Sequence, residues 1–376
     1  MIEAKASALL GLNIAELGRL MEGQGQPGYR ARQVFEALYR QRVDSIDAIS
    51  TLPQDLRTQL DQAGFRVGVP EIEKKFVSAD GTVRYLMRFS DGQTVETVWM
   101  PEGDQGESGD GSEAGDALET GSGTAWERAT ICVSSQVGCA VDCKFCMTAL
   151  LGVKRNLTAG EIVGQITAVL KDQRVSPPED RINIVFMGMG EPFLNYDNFM
   201  KAVRLLVEGV GFPESRMTVS TAGIVPRIAD FGGEEIRPKL AISLNASNDE
   251  LRTRLMPINR KWNLEKLISA AREFPLRPRE KMTFEYVLLD GVNDAEDNAR
   301  QVVELLRGLR AKVNLIALNP GPGIDFRTPA EHRVQQFQKT LMAAGIPTFI
   351  RRPRGRDIYA ACGQLKRTTE VAPLSV

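Results

Sequence analysis

Four of the five cysteines in this chain of 376 residues fall in one stretch, CVSSQVGCAVDCKFC, from Cys132 to Cys146, and the fifth, Cys362, stands near the C-terminus. Cys139, Cys143 and Cys146 are spaced C-x3-C-x2-C, with Cys132 seven residues upstream. Closely spaced thiolates suit zinc, but structural zinc takes four protein ligands and no second Cys or His pair follows. Three thiolates on one loop match an iron-sulfur cluster with one iron left open for another molecule. Zinc and unliganded cysteines are the alternatives. Cys132 lies in an apolar, strand-like run and reads by itself as core. Cys362, in RGRDIYAACGQL, reads either as a small buried hydrophobe or, beside Arg354 and Arg356 and before Gly363, as an accessible thiolate.

Composition narrows the chemistry. Apolar residues make up 43% of the chain, charged ones 25%, and the net charge is −1, which describes a soluble globular protein with a sizeable core. No apolar run approaches the ~18 residues of a membrane span. The start, MIEAKASALLGL, carries an early acid and does not resemble a secretory signal, so a cytoplasmic location is expected. An odd number of cysteines without an export signal argues against a disulfide framework and for metal or redox chemistry. His332 is the single histidine. It lies in the amphipathic, helix-like AEHRVQQFQ, where a solvated imidazole is expected. A Ser-His-Asp hydrolase or a His-rich zinc enzyme is therefore poorly supported.

The elements that must position the cysteines follow from periodicity. Residues 1–70 read as a small module of short helices, IAELGRLMEG, YRARQVFEALYRQ and LPQDLRTQLDQAG, separated by Gly and Pro. Arg30, Arg32, Arg40, Arg42 and Arg57, next to Tyr29 and Tyr39, suggest phosphate tracking and base stacking there, or simply a solvated face. At 71–100 the period becomes two: TVRYLMRFS and QTVETVWM flank Asp91 and Gly92 as a hairpin extension. Glu96 alternates with apolar neighbours and is expected on the wet face of the sheet. Residues 101–127 are Gly-rich and hold seven acids between Glu102 and Glu119 with no base before Arg128, a composition for a disordered insertion. Without those seven charges the rest of the chain carries +6, compatible with a nucleic-acid partner.

From 128 to 362 apolar strands alternate with helices: INIVFM, NFMKAVRLLVEG, MTVS, KLAISL, LEKLISAAREF, MTFEYVLL, DNARQVVELLRGLR, KVNLIAL, EHRVQQFQKTLMAAG and TFIR. This predicts an α/β fold with a parallel sheet, an open or closed barrel, followed by a tail at 363–376. Ligand sites in such folds lie at the C-terminal ends of strands. There stand Gly188, Gly190 and Glu191 after INIVFM, Ser220 and Thr221 after MTV, Ser243 and Asn245 after KLAI, and Asn319 after KVNLIAL.

C-x3-C-x2-C after a strand, with Phe145 before the last cysteine, resembles the radical S-adenosylmethionine superfamily. SSQVGCAVDCKFC, KRNLTAGEIVGQ, MGMGEP, VSTAGIVP, MPINRKW, VNLIALNP and DIYAACGQL, with YRARQVFEALY and LPQDLR upstream, resemble the RlmN family of RNA adenine C2 methyltransferases. The match runs in the expected order over nearly the whole chain. The resemblance implies a partial (β/α)6 barrel, a small N-terminal helical RNA-binding domain and a β-hairpin extension. It implies that Cys139, Cys143 and Cys146 hold a 4Fe-4S cluster, and that Gly190, Glu191, Ser220, Ser243, Leu244, Asn245 and Asn319 contact S-adenosylmethionine. It further implies that Cys362 carries the methyl group, that Cys132 is its disulfide partner, and that Glu96 is the proton acceptor. Two departures are visible. The acidic insertion separates Glu96 from Cys132, and Asn245 stands where many members have histidine.

The implied chemistry has a reason in the base. C2 of adenine lies between two ring nitrogens and is electron-poor, so it cannot attack a methyl cation donor. A carbon radical can add to it. Two molecules of S-adenosylmethionine are then consumed: one methylates Cys362, and the other is cleaved to a 5′-deoxyadenosyl radical that takes a hydrogen from the S-methyl group. The implied partners are 23S rRNA, tRNA in some members, and an external, flavodoxin-like electron donor. The chain is expected to act as a monomer with no membrane attachment. The rival readings are a Cfr-like enzyme methylating C8 and a zinc-bound RNA-binding protein without catalysis.

Overall fold

The computed structural model describes residues 7–102 and 128–365. Its N-terminal module holds helices α1 (Ile14–Gly23), α2 (Tyr29–Tyr39) and α3 (Gln54–Gln62), closed by a parallel bridge between β1 (Ser7–Ala8) and β2 (Phe65–Arg66). A capping box starts α1: Asn13 Oδ1 accepts from Glu16 N at 2.9 Å, and the Glu16 carboxylate accepts from Asn13 N at 2.8 Å. Four of the five cations named above donate hydrogen bonds within the protein. Arg42 donates to Val175 O and Ser176 Oγ, and Arg40 to Glu208 O, all on the neighbouring domain. Arg57 donates to Asp47 O, and Arg30 to Gln33 and Thr51 O. Tyr39 is fully buried, its hydroxyl accepting from Gly11 N and donating to Leu12 O, both at 2.9 Å, so it is no stacking platform. Tyr29 and Arg32 remain exposed.

Next come β3 (Glu71–Val77), β4 (Val83–Arg88) and β5 (Thr94–Glu102), an antiparallel wing in which the expected hairpin gains a third strand. β5 pairs antiparallel with β6 (Arg128–Cys132), placing Pro101 opposite Ala129 and Glu102 opposite Arg128. The expected insertion therefore begins later than 101, because Pro101 and Glu102 still belong to a ladder. Its remainder, 103–127, lies outside the described residues, as does most of the tail.

After a small hairpin of β7 (Gln136–Gly138) and β8 (Val153–Asn156), strands and helices alternate. In order they are α4 (Ala159–Gln173), β9 (Ile182–Phe186), α5 (Tyr196–Leu205), β10 (Met217–Thr221), α6 (Val225–Gly232) and β11 (Lys239–Ser243). Then follow α7 (Asp249–Leu255), α8 (Leu264–Glu273), β12 (Met282–Leu288), α9 (Glu296–Leu306), β13 (Ala311–Ala317), α10 (Glu331–Ala343) and β14 (Thr348–Arg351). One sheet runs β14-β13-β12-β11-β10-β9-β6-β5-β4-β3. From β6 through β14 every pairing is parallel and joins strands consecutive along this sheet, so the chain winds in one direction. Six strand-helix units and a closing seventh strand make the expected partial barrel, with β14 and the wing strand β3 as open edges. The strands are buried on both faces, as a helix-covered parallel sheet requires. His332 is exposed on α10, as expected. Among the described residues no helix is long and apolar enough to cross a membrane.

Candidate active site

The three clustered cysteines lie on the loop between β7 and the 3-10 turn Met147–Leu151. Glycine geometry shapes its base: Gly138 has φ +81°, and a Cβ there would stand 1.8 Å from Gly152 O. Cys139 N donates to that carbonyl at 3.1 Å, and Cys146 N to Cys143 O at 3.1 Å. Two backbone amides, from Val141 (3.4 Å) and Gly190, are directed at the Cys139 sulfur. Gly190 comes from MGMGEP. Its φ of +98° and the 2.5 Å separating a would-be Cβ from Gln136 Cβ exclude any larger residue. Burial pushes the Cys139 thiol up to about 12 and raises Cys143 strongly, with the Cys146 charge adding to both and the Cys139 charge to that of Cys143. A bound cation reverses this by holding the sulfurs as thiolates. Among the described residues no His, Cys, Asp or Glu side chains converge in threes as a single-ion site, which is the set one zinc ion would take. Three mutually coupled thiols on one loop, with amides aimed at sulfur, fit a 4Fe-4S cluster.

The C-terminal segment closes over this loop. Met147 N donates to Gly363 O at 2.8 Å, Thr148 Oγ1 to Leu365 O at 2.7 Å, and Gln364 Nε2 to Pro320 O at 2.9 Å. Further out, Asp357 accepts from Ser78 Oγ and Ala79 N, while Asp80 accepts from Gly355 N, tying the segment to the wing turn. These contacts bring Cys362 within electrostatic reach of both Cys146 and Cys132. Cys132 is buried at the end of β6, and all five thiols are free. Cys362 is open to solvent as a residue, yet the protein around its sulfur pushes the thiol up to about 11. Arg354 and Arg356 do not depress it. The cation it feels is Arg351, and Glu285 acts in the opposite direction.

The other expected residues divide. Ser220 and Ser243 lie 3.2 Å apart at adjacent strand ends, with Ser220 Oγ donating to Glu285 Oε2 at 2.6 Å. Glu191 is turned inward. Its carboxylate accepts from Phe193 N (3.0 Å) and Ala222 N (2.7 Å), joining two strand ends, and burial pushes it up to about 7. The Asn245 amide is likewise taken up inside the protein, accepting from Val287 N at 2.8 Å and facing Met256 Sδ. Leu244 is core, its N–H on Glu285 O and its carbonyl on Arg252 Nε. Asn319 is buried just after β13.

Glu96 corrects the wet-face expectation. It is fully buried in an ion pair with Arg84. Thr97 donates to Gln165 on α4, so the helix-covered face of β5 is the face of Thr97, and Glu96 shares the opposite one with Val98, whose cross-strand partner is Cys132.

Sequence reasoning missed Glu285, Arg252 and Asn314. Glu285 is half-buried among Ser220, Ser243 and Arg351, its carboxyl raised by the protein around it. An acid in the middle of MTFEYVLL was the available signal. Asn314 is its direct neighbour on β13, and Asn314 Oδ1, like Ser135 Oγ, is buried with no hydrogen-bond partner. Such orphan atoms in a polar strand-end patch suit a small polar ligand such as S-adenosylmethionine.

Comparison with known proteins agrees with this geometry. Residues 133–303 match the Radical SAM superfamily, and residues 7–64 match the ribosomal RNA large subunit methyltransferase N-terminal domain. A protein of Koribacter versatilis described as a probable dual-specificity RNA methyltransferase RlmN is 69% identical over 94% of this chain and 100% of its own length. A dual-specificity RNA methyltransferase RlmN of Syntrophobacter fumaroxidans is 45% identical over 94% of this chain and 96% of its own. The crystal structure of a radical SAM methyltransferase from Sphaerobacter thermophilus superposes with a TM-score of 0.85 at 43% identity, covering 96% of this chain and 100% of that one. The chain therefore belongs to the RlmN family of RNA methyltransferases, radical S-adenosylmethionine enzymes that work with a 4Fe-4S cluster and S-adenosylmethionine.

Proposed function

We propose that this chain methylates C2 of one adenosine in 23S rRNA and of one in tRNA, with Cys362 as methyl carrier. What supports the reading is that Cys362 and Cys132, far apart in sequence, share one barrel mouth with the cluster loop. The dual-specificity naming of the relatives supports the second RNA class.

Cys139, Cys143 and Cys146 would hold the cluster, which would supply the electron for cleavage of S-adenosylmethionine. Gly190, Glu191, Ser220, Ser243, Leu244, Asn245 and Asn319 shape the pocket for that molecule, Glu191, Leu244 and Asn245 by bracing the strand ends. Cys362 gives up its proton and gains a methyl group as the donor's sulfur–carbon bond breaks. Its raised thiol means that a base and the Arg351 charge must assist this ionisation. The S-methyl carbon would join C2 after giving up a hydrogen atom to the 5′-deoxyadenosyl radical, the adduct would pass one electron to the oxidised centre held by the three cysteines, and Glu96 would accept the C2 proton. Cys132 then attacks the Cys362 sulfur. The sulfur–carbon bond to RNA breaks, the released carbon takes up a proton, and a disulfide forms.

The barrel, 128–362, carries this chemistry, while the module at 1–70 binds RNA by shape and backbone, presenting Tyr29 and Arg32. A flavodoxin-like donor supplies electrons to a cytoplasmic monomer. Mass spectrometry of nucleosides from both RNA classes after treatment should show 2-methyladenosine. A product matching 8-methyladenosine would move the chain to the Cfr-like reading, and a colourless protein with one zinc and no iron would replace catalysis by binding.

A further inference from the structure

Arg252, on α7, is fully buried. Its guanidinium donates only to neutral oxygens: Nε to Leu244 O (3.1 Å), Nη2 to Ala222 O (2.7 Å) and Ser243 O (3.1 Å), and Nη1 to Asn259 Oδ1 (3.0 Å). Among the described residues no carboxylate lies within ion-pair distance of it. A guanidinium keeps its proton even when buried, so the site holds a fixed cation. A buried cation outside ion-pair distance of any carboxylate is costly, and the negative charges that act on it without touching it are Cys143 and, at the start of its own helix, Asp249. The same helix meets the cluster loop: Lys144 N donates to Leu255 O at 2.9 Å, and Cys143 packs against Leu251, Leu255 and their neighbours. Cys143 is the sulfur whose charge Arg252 feels.

We propose that Arg252 is the fixed counter-charge of the metal centre, a positioning residue that holds the ends of β10 and β11 and sets the reduction potential of the cluster on Cys139, Cys143 and Cys146. Adding an electron to a cluster already ligated by thiolates increases its negative charge. A cation locked nearby in low dielectric favours that reduced state. The hydrogen bonds to Ala222 O, Ser243 O and Leu244 O extend the same side chain to the strand ends beside Glu191, Ser220 and Ser243, so one group ties the potential to the shape of the adjoining pocket. This inference rests on the assignment of the cluster to the three cysteines.

The test compares reconstituted holoprotein with Arg252→Gln, which loses the charge and keeps amide donors, and Arg252→Lys, which keeps the charge and loses the planar fork. Iron and sulfide are counted, thermal melting of each chain is recorded, and the midpoint potential is read by a redox titration followed by electron paramagnetic resonance. The glutamine variant should favour the oxidised cluster by about tenfold, a shift of about 59 mV for one electron, with the lysine variant closer to the parent. Loss of iron from the glutamine variant with retention in the lysine variant would support the same role. Equal potentials in all three proteins, or equal loss of iron from both variants, would reduce Arg252 to a brace and overturn the proposal. A parent chain that takes up no iron and sulfide would instead overturn the cluster assignment, and the inference with it.

Discussion

Among the described residues two guanidiniums are fully closed to water, Arg84 in the antiparallel wing and Arg252 beside the barrel mouth. Arg84 meets the Glu96 carboxylate and lies over the Phe76 ring, 4.0 Å from its centroid, so its charge is balanced within the protein. Arg252 meets carbonyl and amide oxygens only. At the mouth Glu191 repeats that pattern with the opposite sign, held by backbone amides, while Glu285 meets the hydroxyls of Ser220 and Ser243 and also feels the Arg351 charge. Charges in the wing are paired and stabilise the fold. At the mouth, Arg252 and Glu191 are held by neutral dipoles, which leaves their fields available to charged ligands and reacting groups.

If that division holds, changes at the mouth remove chemistry and spare the fold. Cys362→Ala should show this most strongly. Methyl transfer should fall to background while iron content and cluster absorbance persist, and unfolding free energy should move by no more than about 0.5 kcal/mol because the residue is exposed. Methylated nucleoside still formed at the parent rate would remove Cys362 from the reaction. Large destabilisation would break the comparison instead.

In the wing the fold should suffer first, and the reaction only through Glu96, the partner of Arg84. Arg84→Ala strands the Glu96 carboxylate in a fully buried site and should cost about 3 to 5 kcal/mol in urea unfolding. Replacing both partners by Met and Leu should recover much of that loss. A single substitution costing less than about 1 kcal/mol would mean that the pair is not what holds the wing.

Between these lies Glu191, a mouth carboxyl that burial raises from 4.5 to about 7. The folded chain keeps that proton at pH values where the unfolded chain has lost it. Stability should therefore be fully favoured below about 4.5 and fall as pH rises toward 7, by roughly 3 kcal/mol in total. Glu191→Gln removes the titration. The difference between parent and variant unfolding free energies should change with pH across that window, and a constant difference would show that the amides of Phe193 and Ala222 keep Glu191 ionised throughout.

Much of the barrel was legible because its signals are local. Apolar strands such as INIVFM and KLAIS declare themselves over five or six residues, and the cysteine spacing lies within one loop. What escaped depends on which faces become covered. TVETVWM has the period of a half-exposed strand, so Glu96 reads as wet, and only the presence of Arg84 on the neighbouring strand makes its burial tolerable. DELRTRL reads as a solvated helix face, and nothing in it marks Arg252 as the buried member. The meeting of Cys132 with Cys362 is long-range in sequence. The family resemblance supplied it, whereas spacing and periodicity could not.

Tyr39 offers the smallest of these effects and extends the comparison to the N-terminal module. From YRARQVFEALY it reads as a ring available to stack on bases, yet its hydroxyl bridges Gly11 N and Leu12 O in the interior. Tyr39→Phe preserves the packing and leaves Gly11 N without that acceptor, so it should cost about 1 to 3 kcal/mol of stability. RNA affinity at a temperature where both proteins are folded should stay within about twofold of the parent. Tyr29→Ala, on the exposed side of the same helix, should do the reverse, leaving stability within about 0.5 kcal/mol and weakening RNA binding by about 1 to 3 kcal/mol if a base stacks there. Filter binding and thermal melts on the two variants separate the cases. Should the Tyr39 variant lose RNA affinity while melting like the parent, the buried side of this helix would be part of the binding surface, and the module would belong with the barrel mouth rather than with the wing.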